Sequence, residues 1–312
     1  MRPPDSPHLI TTRVVPYDAA GIAEATALVL AGQPVAVPTE TVYGLAADAI
    51  SAQAVARIYA AKGRPSFNPL IVHVPDLAAA ERLGVFDAQA RALAEAHWPG
   101  PLTLVVPARA GNGIAALVTA GLGTIALRIP AHPAMQALLE ATDRPLAAPS
   151  ANASGRISPT RAAHVLASLD GRIALVIDGG ATARGIESTI VAATGGGLRL
   201  LRRGPIAIAA PLVTGDIEAP GMMASHYAPT KPLRLEASEA REGEYLIGFG
   251  AVAGDANLSE TGNPIEAAER LFNLLHLADA APHPLIAVAP IPERDIGAAI
   301  NDRLKRAAAP RA

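Results

Sequence analysis

The sequence predicts an α/β protein, an open sheet covered by helices followed by a second, smaller α/β unit. Three observations carry this expectation. Over the first two thirds, apolar stretches of helical spacing alternate with short β-branched runs, the pattern of strands and helices taken in turn. Half of the 312 residues are hydrophobic and only 17% are charged, enough apolar surface for a large core and far from the balance of a disordered chain. Residues 211–232 then gather Pro211, Gly215, Pro220, Gly221, Pro229 and Pro232, which break any regular element and read as a linker.

In chain order, Asp18 is placed to cap a helix carrying Ile22, Ala25 and Val29 that stops at Gly32, and 35–37 is a short apolar strand. Ser51 caps a second helix, with Val55, Ile58 and Tyr59 on one face, ending at Lys62-Gly63. Strands follow at 70–74 and 102–106, separated by a helix opened by Asp87 and running to Trp98. At 124–129, Ile125, Leu127 and Ile129 share one face and Thr124, Ala126 and Arg128 the other, so Arg128 projects away from the aliphatic row. Further strands are expected at 146–148, 173–177, 188–191 and 198–201. A helix is expected at about 160–169, capped by Ser158 or Thr160. Beyond the linker, 244–249 is a strand, Asn263-Pro264 starts a helix, 285–289 is a strand and 296–304 a final helix. The division expected is therefore 1–210, a linker at 211–232, and a small α/β domain at 233–312.

Composition excludes several functions. There is no cysteine, hence no disulfide, thiolate metal site or cysteine nucleophile. The net charge is −2, from 26 basic and 28 acidic residues, and there are 1 Trp, 5 Tyr and 4 Phe. A general polyanion binder would carry a basic surplus and stacking aromatics, so tight tRNA binding is not expected. Residues 1–7 hold no apolar leader, and no run of about 18 apolar residues escapes interruption, which gives the expectation of a cytoplasmic chain with no membrane segment. Neither G-x-x-x-x-G-K-[ST] nor H-E-x-x-H occurs, and Gly248, Gly250 and Gly254 are spaced too widely for a dinucleotide fingerprint.

The chemistry is expected in four polar loops at the ends of apolar strands, where open α/β sheets bind ligands. Residues 38–45 place two threonines and Glu40 directly after a strand. In 62–70, Lys62 and Arg64 sit on a loop stiffened by two prolines, which suits cations held against phosphate oxygens. His73 follows within a strand, where a histidine is more often a core residue than a functional one. Residues 148–160 gather four hydroxyls, Asn152 and Arg156 before a helix, and 187–189 leads to Arg202-Arg203 at the end of the next strand pair. Lys62, Arg64, Arg128 and Arg202 thus bring fixed positive charge from four strand ends, which suggests a phosphate pocket without a P-loop.

These segments, PTETVYGL at 38–45, KGRPSFNPL at 62–70, WPGPLT at 98–103, ALRIP at 126–130, PSANASG at 149–155 and EST at 187–189, together resemble the YrdC-like L-threonylcarbamoyladenylate synthases in their two-domain form. The resemblance runs from about residue 20 to 230. It implies a YrdC-like twisted open sheet with a small Rossmann-like α/β domain behind the linker. It also implies a nucleotidyltransferase that condenses L-threonine, bicarbonate and ATP to threonylcarbamoyl-AMP and pyrophosphate, supplying a tRNA threonylcarbamoyltransferase. By the same resemblance, Thr41, His73, Arg128, Ala148 and Ser188 contact threonine. Arg64, Asn68, Thr124, Ser150, Asn152, Ser158, Arg202 and Tyr227 hold ATP. Lys62 and Arg64 would act on the reacting phosphates, with Mg²⁺ brought in by ATP and no metal held by the chain itself. Pro220-Gly221-Met222 and His226-Tyr227 resemble a flap over the nucleotide. Two departures are Ala46, where glycine is common, and Met223-Ala224-Ser225, which lacks the usual basic residue before the His-Tyr pair.

Overall fold

The structure is a computed structural model that describes residues 11–213, 215, 218–222 and 225–310. The chain begins with β1 (Arg13–Pro16), α1 (Ala19–Leu30), β2 (Val35–Pro38), β3 (Tyr43–Asp48), α2 (Ala52–Lys62), β4 (Ile71–His73), α3 (Leu77–Leu83) and α4 (Ala88–His97). It continues with β5 (Leu102–Pro107), α5 (Ala116–Thr119), β6 (Thr124–Arg128), α6 (Pro133–Thr142), β7 (Leu146–Ala147), α7 (Ala162–Leu169), β8 (Leu175–Asp178), β9 (Thr189–Ala193) and β10 (Leu198–Arg202). These ten strands form one mixed sheet in the order β1-β8-β2-β3-β7-β4-β6-β5-β9-β10. A second sheet, all parallel, orders β11 (Leu233–Arg234), β14 (Leu285–Val288), β12 (Glu244–Gly248) and β13 (Ala256–Asn257), with α8 (Pro264–Ala280) and α9 (Ile296–Ala308) packed together beside it.

Short-range signals set most boundaries. The Asp18, Ser51 and Asp87 side chains each accept the backbone N–H three residues on, as the caps of α1, α2 and α4, and Gly63 closes α2 in the left-handed region at φ 60°. One expected cap is not used. Helix α7 starts after Arg161 with no side-chain cap, because Ser158 Oγ donates instead to Glu187 and Thr160 Oγ1 lies 3.4 Å from the ring of His164.

The segment 38–45 is more than a polar turn. Thr39 Oγ1 donates to the Val42 carbonyl at 2.7 Å and closes a tight reversal, from which β3 returns antiparallel along β2. The sequence Gly44-Leu45-Ala46-Ala47 lacks β-branched residues, so its strand character comes from being buried between β2 and β7. Ala46 faces Val35 in this pairing and is fully buried.

The largest core cluster of the larger sheet draws on residues from Ala36 to Leu200, and two smaller ones hold Ala25, Val35 and Ile177, and Ile71, Val105 and Ile190. The core of the smaller sheet also takes in Val42, Ile157, Ile186 and Tyr227 from the chain before β11. Gly185, at φ +66°, lies so close to α8 that a Cβ there would collide with the Ala268 carbonyl and the Glu269 backbone. The two sheets therefore meet at a closely packed face, and the functional loops lie beside it.

Candidate active site

The mixed sheet brings the ends of β2, β4, β6, β7 and β10 to one cavity. His73 and Arg128 are register partners on β4 and β6, which fixes them side by side. Thr41, Arg64, His73, Arg128, Ala148, Ser150, Arg202 and Tyr227, all expected from the sequence, line this cavity together with Glu187, Gly221 and His226.

At one end Arg128 is held by a buried network. Its Nη2 donates to Glu40 Oε1 at 2.6 Å and to Thr41 Oγ1 at 3.0 Å, and its Nε to the Gly100 carbonyl at 3.3 Å. Glu40 Oε2 accepts the Ala131 N–H at 3.1 Å. Burial alone would raise the Glu40 carboxyl, yet the Arg128 charge and hydrogen bonds hold it below the usual carboxylate range. Beside it the His73 imidazole is depressed to about 3, by burial first and then by Arg128, so it is neutral at physiological pH. Its Nδ1 is buried and has no hydrogen-bond partner.

At the other end the cations lie close together. Arg64 Nη2 donates to Asn68 Oδ1 at 2.7 Å and to the Pro69 carbonyl at 2.8 Å, which makes Asn68 the brace of that guanidinium. Arg202 donates from Nε and Nη2 to the Ser188 carbonyl and Oγ, both at 3.0 Å, and from Nη1 to the Pro220 carbonyl at 3.3 Å. Ser188 Oγ in turn lies 2.8 Å from Thr103 Oγ1. Burial lowers both guanidinium groups, Arg64 to about 10. His226 is pushed well below its ordinary value by burial and by Arg64, Lys62, Arg202 and Arg306. Burial raises the Tyr227 hydroxyl, which has no hydrogen-bond partner. Tyr227 adopts φ 65°, rare for a non-glycine residue, with its ring packed on His226 and Phe272.

Other expected residues stand behind the cavity wall. Lys62 is buried and its Nζ donates to the carbonyls of Ser150 and Asn152, tying α2 to the 149–155 loop. Asn152 Nδ2 donates to the carbonyls of Ala153 and Arg156, both at 2.9 Å. Ser158 and Ser188 are fully buried beside Glu187 and Arg202. Thr124 starts β6 on the same pleat face as Arg128, four residues from it, and is paired with Pro107. Of the departures from the family pattern, Met223 and Ala224 lie outside the described residues.

Glu40 and Glu187 had no expected role, although each sits in a quoted motif. The available signal was a carboxylate beside hydroxyl residues next to a buried strand, Glu40 between Thr39 and Thr41 after β2 and Glu187 before Ser188-Thr189 at the start of β9. Arg303 and Arg306, from α9, were not expected at all, since nothing local links a C-terminal helix to loops more than 80 residues earlier.

Comparison with known proteins identifies the family and the fold. A family model described as Telomere recombination (Sua5/YciO/YrdC) matches residues 27–204, and one described as Threonylcarbamoyl-AMP synthase, C-terminal domain, matches 186–309. The threonylcarbamoyl-AMP synthase of Bacillus subtilis is 45% identical over 241 residues, 72% of this chain and 69% of its own. That of Pyrococcus abyssi is 38% identical, over 88% of this chain and 90% of its own. The crystal structure of P. abyssi Sua5 complexed with L-threonine superposes with a TM-score of 0.86 at 34% identity, covering 96% of this chain and 97% of that one. Escherichia coli YciO, at 20% identity and a TM-score of 0.56, shares the fold over 64% of this chain and 97% of its own. The chain belongs to the threonylcarbamoyl-AMP synthase family, in the form that joins the Sua5/YciO/YrdC unit to the C-terminal domain.

Proposed function

We propose that the chain condenses L-threonine, bicarbonate and ATP to threonylcarbamoyl-AMP and pyrophosphate, supplying the threonylcarbamoyl group of a modified adenosine in tRNA. The observation that carries this reading is the convergence of Arg64, Arg128 and Arg202, each under a tenth exposed, on one cavity. The one carboxylate in its wall among the described residues, Glu187, is already engaged with Ser158 and Arg303, and Glu40, behind the wall, with Arg128. Buried guanidinium groups without counter-charges are costly unless an anion joins them.

In this reading the threonine amine takes up the bicarbonate carbon with loss of water. One carbamate oxygen then attacks the α-phosphorus of ATP as pyrophosphate leaves. Both reactants are anions, so the chain must bring like charges together, and positioning with electrostatic stabilisation supplies most of the acceleration. Arg128, fixed by Glu40, takes the threonine carboxylate, with Thr41, Ala148, Ser188 and neutral His73 around the side chain and amine. Arg64, braced by Asn68, and Arg202 take the phosphates, while Ser150 and Tyr227 bound the nucleotide with Ser158 directly behind them. Lys62, with Asn152, fixes the loop that carries Ser150, and Thr124 extends the nucleotide face along β6. Mg²⁺ enters as part of the ATP substrate; among the described residues no group of three or more His, Asp or Glu side chains is arranged to hold a metal. Pro220, Gly221, His226 and Tyr227, which line the cavity, exclude water from the carbamate and the mixed anhydride.

The division into a catalytic unit (1–210), a closing segment (211–232) and an accessory unit (233–312) is part of this proposal, as are delivery to a downstream tRNA threonylcarbamoyltransferase and residence in the cytoplasm. Among the described residues no helix is long and apolar enough to cross a membrane. The test is mass spectrometry of the products formed from ATP, Mg²⁺, bicarbonate and threonine, with serine as control. Threonylcarbamoyl-AMP is the expected product; its absence from active, folded protein overturns the reading.

A further inference from the structure

Ser158 is gripped from two sides by the unit built on the smaller sheet. His276 on α8 places Nε2 3.2 Å from the Ser158 carbonyl. Ser158 Oγ donates to Glu187 Oε1, and Glu187 Oε2 accepts from Arg303 Nε of α9 at 3.1 Å. Arg303 is completely buried; its Nη1 donates to the Arg203 carbonyl at 2.7 Å, and its guanidinium lies 5.5 Å from the centre of the Tyr227 ring. One turn on, Arg306 Nη1 donates to the Gly221 carbonyl at 2.5 Å, and the Arg306 carbonyl accepts the His226 N–H at 3.2 Å. A helix needed only for packing would bury leucine at position 303, because an apolar side chain avoids the desolvation that a guanidinium incurs.

We infer that Arg303 is a positioning residue for the nucleotide end of the cavity, setting Ser158 through Glu187. The C-terminal unit would then be a working part of the nucleotide site, and its two helices would act on the same serine. This inference rests on the reading that ATP binds beside Ser158 and Tyr227. It assigns Arg303 no contact with substrate, and Arg303 is not among the residues that line the cavity.

The test uses the full chain and measures ATP and threonine dissociation constants separately by isothermal titration. Arg303→Met is expected to weaken ATP roughly tenfold, the effect of losing one hydrogen bond to a charged group, with threonine changed less than about twofold. Arg303→Lys, which keeps a donor for Glu187, should recover most of the ATP affinity. Because the effect passes through Ser158, Arg303→Met in a Ser158→Ala background should add little to Ser158→Ala alone. Should Arg303→Met fail to fold, His276→Leu carries the same test, with the same selective and non-additive loss of ATP affinity. Unchanged ATP affinity, equal loss of both ligands, or full additivity with Ser158→Ala overturns the proposal. Wild-type chain that binds no ATP overturns the reading beneath it, and the proposal with it.

Discussion

The two ends of the cavity are built differently. At the Arg128 end the polar groups come from the mixed sheet and the loops leaving it, and they are locked to one another: Arg128 to Glu40 and Thr41, Glu40 to the backbone at Ala131. At the Arg64–Arg202 end the walls come from chain segments with no shared strand, the 62–70 loop, the end of β10, Pro220-Gly221 and His226-Tyr227, with α9 behind them holding the Gly221 carbonyl. The first end is pre-formed and internally neutralised, whereas the second concentrates positive charge with little compensation. A small zwitterion suits the former and a polyphosphate the latter, which is the arrangement proposed above for threonine and ATP.

Arg202 joins the two ends, through Ser188 on one side and Pro220 on the other, and its loss should have the largest effect. Arg202→Ala is expected to lower kcat/KM for threonine-dependent pyrophosphate release by about 10³-fold, the scale of removing one preorganised charged donor, with the thermal transition retained. Activity within tenfold of wild type would separate the two ends and undo the comparison.

Glu40→Ala should come next, and should act on the Arg128 end alone. It leaves a buried guanidinium without its partner, at a cost of about 3 kcal/mol in urea denaturation. It should also raise the threonine KM by roughly 100-fold through loss of orientation of Arg128. Lys62→Met is the matched change at the other end. Removing its donors to the Ser150 and Asn152 carbonyls should raise the ATP KM by roughly tenfold and leave the threonine KM nearly unchanged.

The last effect is one of pH on stability. Burial first, and then neighbouring positive charge, depresses His73 and His164 to about 3. Burial depresses His276 to about 4, partly opposed by the Ser158 carbonyl. An unfolded chain protonates these rings near pH 6.5, so between about pH 6.5 and 4 the unfolded state binds more protons and stability falls as the pH drops. Melting temperature should therefore decline steadily from pH 7 to pH 5, before the Glu40–Arg128 pair begins to protonate. A flat profile across that window would mean that the three rings are more solvated than their packing indicates.

Much of the Arg128 end was legible in the sequence. The β6 alternation placed Arg128 off the aliphatic row, and it stands there beside His73 in strict register. The caps at Asp18, Ser51 and Asp87 likewise gave α1, α2 and α4, because capping depends on residues three apart. The strand β3 was hidden because Gly44-Leu45-Ala46-Ala47 has no intrinsic strand preference and acquires one only between its neighbours. Helix α6, which begins at Pro133 behind a His132 cap, was hidden by an unusual capping residue. The support for the nucleotide end was least legible. The contacts of Arg303 with Glu187 and of Arg306 with Gly221 span 116 and 85 residues, and pairing at that range follows from tertiary packing and not from any local pattern.

The most direct measurement is a crystal structure of the chain with threonine and a non-hydrolysable ATP analogue. The account expects both ligands in the one cavity, the threonine carboxylate on Arg128 and the triphosphate within hydrogen-bond reach of Arg64 and Arg202. A nucleotide bound elsewhere, for instance in the cleft between Arg203, Ile265 and Ile296 where the two sheets meet, would contradict it.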